Sequence, residues 1–331
     1  MRLSIILPFY DDPNEALRLL KTAYDSFTQP VDLEAVLVDL DTRRHEKVEP
    51  RAFPGRCRLI RYATFPGLAK AKNDAVAAST GELVLFLYPG LLAHKGAIER
   101  LMQQLDRHPE WGAVVGRWTT AEGQLELGYN VRRFPTLVGI VFDLFLINKL
   151  WAQNRVTRTY KMHDFDHASL AMVEHANDCM FMARRDLLQR LGGFDEKYFL
   201  GWFDQIDLCR RMRALGYAIA FDPDAGFTSN GRPSLLGRLV QEHYRDFYAT
   251  EYFYVEANFG RRGAVLLRGV LVLAMIQRLL FSFGLPPARR RSLVARFRSH
   301  VGDPYIQGMK ASYWSLLKAS LTGFKTPYIK S

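Results

Sequence analysis

Residues 192–222 read GGFDEKYFLGWFDQIDLCRRMRALGYAIAFD, and the parsing of this run decides the fold. Ile206, Leu208, Met212 and Leu215 recur at helical spacing, so a helix begins near Asp204. Asp204 and Asp207 stand three apart at its start, sharing one face near the positive end of the helix dipole. A carboxylate there suits a general base. The bland alternative is that the pair only caps the helix, as acidic residues commonly do. Upstream, Gly192-Gly193-Phe194-Asp195-Glu196 is a turn signal joining a helix over Asp186–Leu191 to the aromatic stretch Tyr198–Phe203, which contains Trp202 and can wall a cleft. Downstream, Gly216 stops the helix and Tyr217–Phe221 reads as a strand.

Working outward, the N-terminal third alternates strands and helices. Leu3–Leu7 is an apolar run ended by Pro8-Phe9-Tyr10, Pro13–Phe27 is helix-like, and Leu33–Val38 is a second apolar run ending at Asp39 and Asp41. Such alternation argues for a parallel sheet with ligands at the carboxyl ends of its strands, so Pro8–Tyr10 and Asp39 are expected at one crevice. A carboxylate there can accept the imide N–H of uracil or thymine; alone, Asp39 is equally a turn residue. Next, Phe65–Asp74 is a Gly-led helix start bearing Lys70, Lys72 and Asn73, followed by Thr80-Gly81-Glu82 and a strand over Leu83–Leu87. Two lysines on a helix usually mark a solvated face.

The run Gly192–Tyr217 resembles the acceptor-side motif of inverting family 2 glycosyltransferases: GGFDE, an aromatic stretch, acidic residues, then D-L-x-x-R-x-x-x-x-G-Y. The segment around Asn73 is similar to the same family's donor-side G-x-a-x-A-x-N-x-G, with Lys72 where Arg is frequent. The resemblance spans about residues 3–234, tightest over 192–222. It implies a GT-A-like α/β fold, with a mixed, mostly parallel sheet flanked by helices and a C-terminal helical extension. Residues 1–90 would form the nucleotide half, 91–234 the acceptor half and 235–331 a basic, partly apolar helical region. It also implies donor-binding roles for Pro8, Phe9, Tyr10, Asp39, Asp41, Lys70, Lys72, Asn73 and Tyr88, acceptor-binding roles for Asp195, Glu196 and Trp202, and catalytic roles for Asp204 and Asp207.

The departures from that pattern are informative. The central strand usually ends in Asp-x-Asp, which grips Mg²⁺ or Mn²⁺; here it ends in Leu87-Tyr88-Pro89-Gly90. A His that often follows the last strand is replaced by Ser229 and Asn230. The second member of the usual Glu-Asp pair falls at Gln205, whereas Asp204–Asp207 fits the Asp-x-x-Asp of rhamnosyltransferase-like members. Hard divalent cations need close oxygen ligands that Tyr and Gly side chains do not replace. Three explanations follow: Lys, Arg and helix N-termini stabilise the leaving diphosphate, displaced carboxylates such as Asp39 or Asp41 recruit a metal, or the protein is a catalytically weak relative that binds glycan or a partner.

At 331 residues, 48% of them hydrophobic, the chain can bury a full α/β core and carry an accessory region. Cys57, Cys179 and Cys209 are odd in number and far apart, which argues against a disulfide framework or zinc site and for cytosolic exposure. The start is strand-like, without the basic leader and apolar core of a signal peptide. The net charge of +11 is uneven: residues 1–231 are balanced, with 29 basic and 29 acidic residues, whereas 232–331 carry 16 and 5. Within that tail Ala264–Leu285 is strongly apolar but interrupted by Arg268, Gln277 and Arg278, then followed by Pro286-Pro287, Arg289-Arg290-Arg291, Arg296 and Arg298. This suggests a helix lying on an anionic membrane face, or equally one packed on the catalytic domain. No nucleic-acid reader motif accompanies the basic tail. In the middle, Pro135–Leu150 reads as an apolar helix and Asn154–Asp166 as a polar loop, where His163 and His167 flank Asp164 and Asp166 in what reads as a hydrogen-bonded segment.

The expected reaction is inverting transfer of a sugar from a nucleotide-diphosphate donor to a glycan or polyprenyl-lipid-linked acceptor, on the inner face of the cell membrane. Asp204 would take the acceptor proton and Asp207 would orient the acceptor or tune Asp204. A non-catalytic binding or scaffold protein on the same fold is the rival class.

Overall fold

The computed structural model describes residues 2–10, 12–42, 56–125, 128, 130–229, 235, 239, 243–284 and 310–324. In chain order the elements are β1 (Leu3–Phe9), α1 (Pro13–Asp25), β2 (Leu33–Asp39), β3 (Arg56–Arg61), α2 (Leu68–Ala78), β4 (Leu83–Leu87), β5 (Leu91–Ala93), α3 (Ala97–Arg107), β6 (Trp111–Thr119) and β7 (Val131–Arg132). There follow α4 (Leu137–Leu144), α5 (Ile147–Leu150), α6 (Arg155–Tyr160), β8 (Ala171–Val173), β9 (His175–Ala176), β10 (Met180–Arg184), α7 (Arg185–Arg190), α8 (Phe203–Ala214), β11 (Ala218–Ser229), α9 (Tyr244–Gly284) and α10 (Lys310–Thr322). They form two compact units, one of Met1–Phe134, Lys161–Glu196 and Asp204–Leu235, the other of Pro135–Tyr160, Lys197–Phe203 and Leu236–Ser331.

In the first unit the apolar runs LSIILPF, LEAVLVD and LVLFL become β1, β2 and β4, buried along their whole length. Strands without a polar face need cover on both sides, which crossover helices supply. The sheet order is β3-β2-β1-β4-β10-β6-β11-β5, with β8 also paired to β11. β1 to β4 run parallel, β10 is antiparallel to both β4 and β6, and β6 and β11 are again parallel. Most strands thus share one direction. Leu3, Ile5, Leu7, Leu85, Leu87 and Met182 pack with Leu19 and Leu20 of α1 and Ile98 and Leu101 of α3 in one continuous core.

Two features of this sheet place the chemistry. β1 lies between β2 and β4, so the chain turns to opposite sides after the first strand, the position where open α/β sheets form a ligand crevice. Because β10 is antiparallel to β4, with Met180 opposite Leu87, the entrance to β10 adjoins the exit of β4. The Thr80-Gly81-Glu82 turn is closed by Gly81, whose N–H donates to Ser4 Oγ at 2.8 Å. A Cβ there would collide with the Ser4 backbone nitrogen at 2.6 Å, so only glycine fits.

In the second unit the apolar stretch 135–150 is not one helix. Thr136 caps α4 by accepting from the Gly139 N–H at 3.1 Å, and the chain then breaks at Leu146, a left-handed residue with φ 59°. The expected polar loop after Asn154 contains α6 instead, because Asn154 Oδ1 accepts the Thr157 N–H at 2.9 Å and caps it. α9 is interrupted at Gly260, with φ 71°. Its arginines are used inside the unit: Arg278 donates to Tyr244 and Tyr248 hydroxyls at 2.8 and 2.6 Å and to the Leu144 carbonyl at 2.9 Å, capping α4. Arg268 likewise donates to the Ser320 and Leu321 carbonyls at the end of α10. Arg289–Arg298, Pro286-Pro287, Leu285 and Asn230 lie outside the described residues.

Candidate active site

Four polar side chains from four elements meet at the exit of β4. α2 starts after Gly67, whose φ is 96°, and turns Leu68, Ala69, Ala71, Lys72 and Ala75 inward. Lys72 is therefore buried in the apolar face of its helix, while Lys70, two residues earlier and on another side, pairs with Asp74 at 2.8 Å. The Lys72 side chain is 0% exposed and its Nζ lies 2.6 Å from Asp204 Oδ2, itself 0% exposed. The same ammonium is 3.4 Å from Asp178 Oδ2. Tyr88, the first residue after β4, donates to that Asp178 oxygen at 2.7 Å. The Tyr88 N–H donates to the Cys179 carbonyl at 3.2 Å, the link that holds Asp178 beside it.

The GGFDE turn provides the floor. Lys72 Nζ sits 3.9 Å from the centroid of the Phe194 ring, a cation–π contact, and Phe194 packs edge-on against Phe86 with centroids 5.4 Å apart. Asn73 holds this turn in place: its Oδ1 accepts the Phe194 N–H at 2.8 Å and its Nδ2 donates to the Phe194 carbonyl at 2.9 Å and to Glu196 Oε1 at 3.2 Å. Gly193 is left-handed, with φ 73°, and a Cβ there would meet the Asn73 amide. The glycine is thus required by both the turn and the helix it touches.

Electrostatics follow from burial. Desolvation pushes the Asp204 carboxyl above its ordinary range, Lys72 opposes this, and Asp178 adds to it. The Gln205 N–H, donating to Asp204 Oδ1 at 2.6 Å, favours the ionised form. Desolvation and Asp178 together push the Tyr88 phenol well up, so it remains a donor. The site holds a carboxylate of raised basicity, an ammonium that neutralises it, and a phenol that fixes the second carboxylate.

The other expected residues are distributed as follows. Asp207 is ion-paired with Arg211 at 2.7 Å, and Arg211 also donates to the Leu191 and Gly193 carbonyls, both at 2.8 Å. Its carboxylate thus holds the clamp on the GGFDE turn. Pro8 and Phe9 at the end of β1 and Tyr10 just after it lie beside Asp39, the last residue of β2, and Asp41 just beyond, all buried, joined by the Leu40 N–H donating to the Phe9 carbonyl at 3.0 Å. Tyr10 packs edge-on against Phe65. Asp195 is half-buried and Glu196 exposed in the first unit. Trp202 belongs to the second unit, with a left-handed φ of 66°. Asp178 is missed by the motif reading; the available signal is an acidic residue opening the apolar run Cys179–Ala183.

The donor set does not fit a divalent cation at the exit of β4. Tyr88, Pro89 and Gly90 offer no carboxylate, and the two nearby carboxylates already surround the Lys72 ammonium. Among the described residues no group of three or more His, Cys, Asp or Glu side chains is placed to hold a metal.

The family model "Glycosyl transferase family 2" matches residues 4–192. An N-acetylglucosaminyl-diphospho-decaprenol L-rhamnosyltransferase of Mycobacterium tuberculosis is 23% identical over 232 residues, covering 70% of this chain and 74% of that protein. A probable N-acetylgalactosaminyltransferase 9 of Caenorhabditis elegans is 23% identical over 226 residues, 66% of this chain and 38% of that one. Among solved structures, S. aureus TarS 1-349 in complex with UDP superposes with a TM-score of 0.50 at 15% identity, covering 97% of this chain and 87% of that chain; the likeness is one of fold.

Proposed function

The chain belongs to glycosyl transferase family 2 and is a glycosyltransferase, and from that premise we propose that it is an inverting enzyme that works without a divalent metal on a lipid-linked acceptor. The observation that carries this reading is the buried Lys72–Asp204 pair beside Asp178 and Tyr88. In the proposed step the acceptor hydroxyl oxygen attacks the anomeric carbon from the face opposite the diphosphate. The bond from that carbon to the phosphate oxygen breaks, the nucleoside diphosphate leaves with the electron pair, and the hydroxyl proton passes to Asp204. As Asp204 is neutralised, the Lys72 ammonium keeps Asp178 as its counter-ion. Arg, Lys and backbone N–H groups serve the diphosphate electrostatically.

The acceptor class is inferred from the rhamnosyltransferase relative, whose name describes a decaprenol-linked substrate; a nucleoside diphosphate donor suits the UDP complex of the shared fold. Membrane docking is supported by α9. Val265, Leu266, Leu273, Ile276 and Leu280 are between 41% and 67% exposed, and at 100° per residue they fall on one stripe. Ala264, Leu267, Leu271, Ala274 and Met275 bury the opposite side. A helix apolar on both faces, one of them bare, fits a bilayer surface. It is also long and apolar enough to cross a membrane by length and composition.

The complete burial of Asp204 favours a second reading, a donor-binding relative that does not turn over. A panel of nucleotide sugars offered with polyprenyl-diphosphate-linked acceptors, analysed by mass spectrometry in excess chelator, separates the two. A new glycolipid supports the transferase reading, and donor binding without product on any acceptor supports the second. Product that appears only with added Mg²⁺ or Mn²⁺ removes the metal-free element.

A further inference from the structure

Lys72 enters a buried cradle of two carboxylates and a phenol, which its ammonium fills. Asp204 arrives from the first turn of α8, Asp178 from the entrance of β10 and the Tyr88 hydroxyl from the exit of β4, while Lys72 Nζ lies 2.6 Å from one carboxylate and 3.4 Å from the other. The two carboxylates close on the ammonium from separate parts of the chain, and Tyr88 joins them through the Asp178 oxygen to which it donates. A point where two buried carboxylates converge demands positive charge, since two facing carboxylates cannot both remain ionised without it. A hard cation held by oxygen is one way to meet such a demand. Here α2 meets it with a side chain, and the Phe194 ring below the ammonium adds its negative face.

We propose that Lys72 is a tethered replacement for a divalent cation, so that deleting its ammonium turns the Tyr88–Asp178–Asp204 cradle into a binding site for Mn²⁺ or Mg²⁺. This rests on the transferase reading for its meaning, but not for its measurement. With the lysine removed, the cavity offers two carboxylates and a phenol oxygen; water or donor phosphate oxygens complete the six positions that such ions take. Lys72→Arg keeps a charge in the cradle and leaves it closed to metal.

The test is Mn²⁺ titration of the full chain, followed by loss of the free-ion electron paramagnetic resonance signal, for wild type, Lys72→Ala, Lys72→Arg and Lys72→Ala/Asp178→Asn. Lys72→Ala is expected to take up one Mn²⁺ at least about tenfold more tightly than wild type or Lys72→Arg, because losing the like-charged ammonium leaves the two carboxylates to the ion. The double variant is expected to lose that site. Folded Lys72→Ala that binds Mn²⁺ no better than wild type overturns the proposal, as does retention of the site in the double variant. If Lys72→Ala is unfolded in metal-free buffer, its circular dichroism decides: folding on addition of Mn²⁺ supports the proposal, and remaining unfolded overturns it. A wild type without transfer activity on any acceptor would count against the transferase reading alone.

Discussion

Lys72 and Asp204 approach to 2.6 Å with neither side chain exposed. An ion pair so placed is a poor source of net stability, because desolvating both charges offsets most of their attraction. Its worth is in tuning Asp204: burial raises the pKa of this carboxyl and the lysine opposes that rise.

Asp204→Asn is expected to reduce transfer on the order of a hundredfold or more while donor affinity changes little, since the amide keeps shape and loses basicity. Steady-state rates beside donor titration by calorimetry decide this, and wild-type turnover in the variant would remove Asp204 from the role.

The raised Asp204 group also has a pH signature. Activity needs the ionised form, so the acid limb of the rate profile should lie above the ordinary Asp value of about 3.9. For stability the sign is opposite: the folded state binds this proton more tightly than the unfolded chain, so the contribution of Asp204 improves as pH falls through its folded pKa. Wild type should therefore gain on Asp204→Asn in denaturant midpoint as the solution is acidified.

Asp207→Asn should be mild for chemistry and measurable for structure. It releases Arg211 from its carboxylate while the guanidinium still reaches two carbonyls, a loss of about 1 kcal/mol for a partly buried pair. Urea unfolding that shows this change with kcat reduced less than in Asp204→Asn fits; a larger catalytic loss than Asp204→Asn does not.

Gly193→Ala forces a side chain into a left-handed backbone and onto Asn73, so it should cost at least about 1–2 kcal/mol. The cost should be partly relieved when Asn73 is also Ala, because the two residues share one contact. Additive effects in that double-mutant cycle would break the link drawn between α2 and the GGFDE turn.

Full-length protein should co-sediment with anionic vesicles, in part reversibly with salt. Exchanging Arg289, Arg290 and Arg291 together for neutral residues should weaken binding by on the order of a hundredfold, at about 1 kcal/mol each. Leu273→Asp with Leu280→Asp should remove the salt-resistant remainder. Protein that ignores such vesicles at low salt would show that the bare stripe of α9 has another use.

Much of the fold is legible because LSIILPF, LEAVLVD and LVLFL can only be buried strands, and Gly216 stops α8 as its position suggests. The site is legible as positions but not as pairs. Whether Lys70 or Lys72 turns inward depends on which face of α2 meets the sheet, and a pattern of small alanines does not announce it. The importance of Asp178 depends on the antiparallel register that sets Met180 against Leu87, a contact between distant parts of the chain. The break at Leu146 hides for a simpler reason: a leucine held in the left-handed region leaves no glycine to mark it.

Tyr88 donates to the same Asp178 oxygen that faces Lys72, and this shared atom restricts the routes by which such a pocket can change over generations. Exchanging Tyr88 alone for an acid would set a third carboxylate against one ammonium. Losing Lys72 alone would leave two carboxylates opposed. Each single exchange leaves the buried charges unbalanced, so a change at position 72, 88 or 178 calls for a matching change at another of the three.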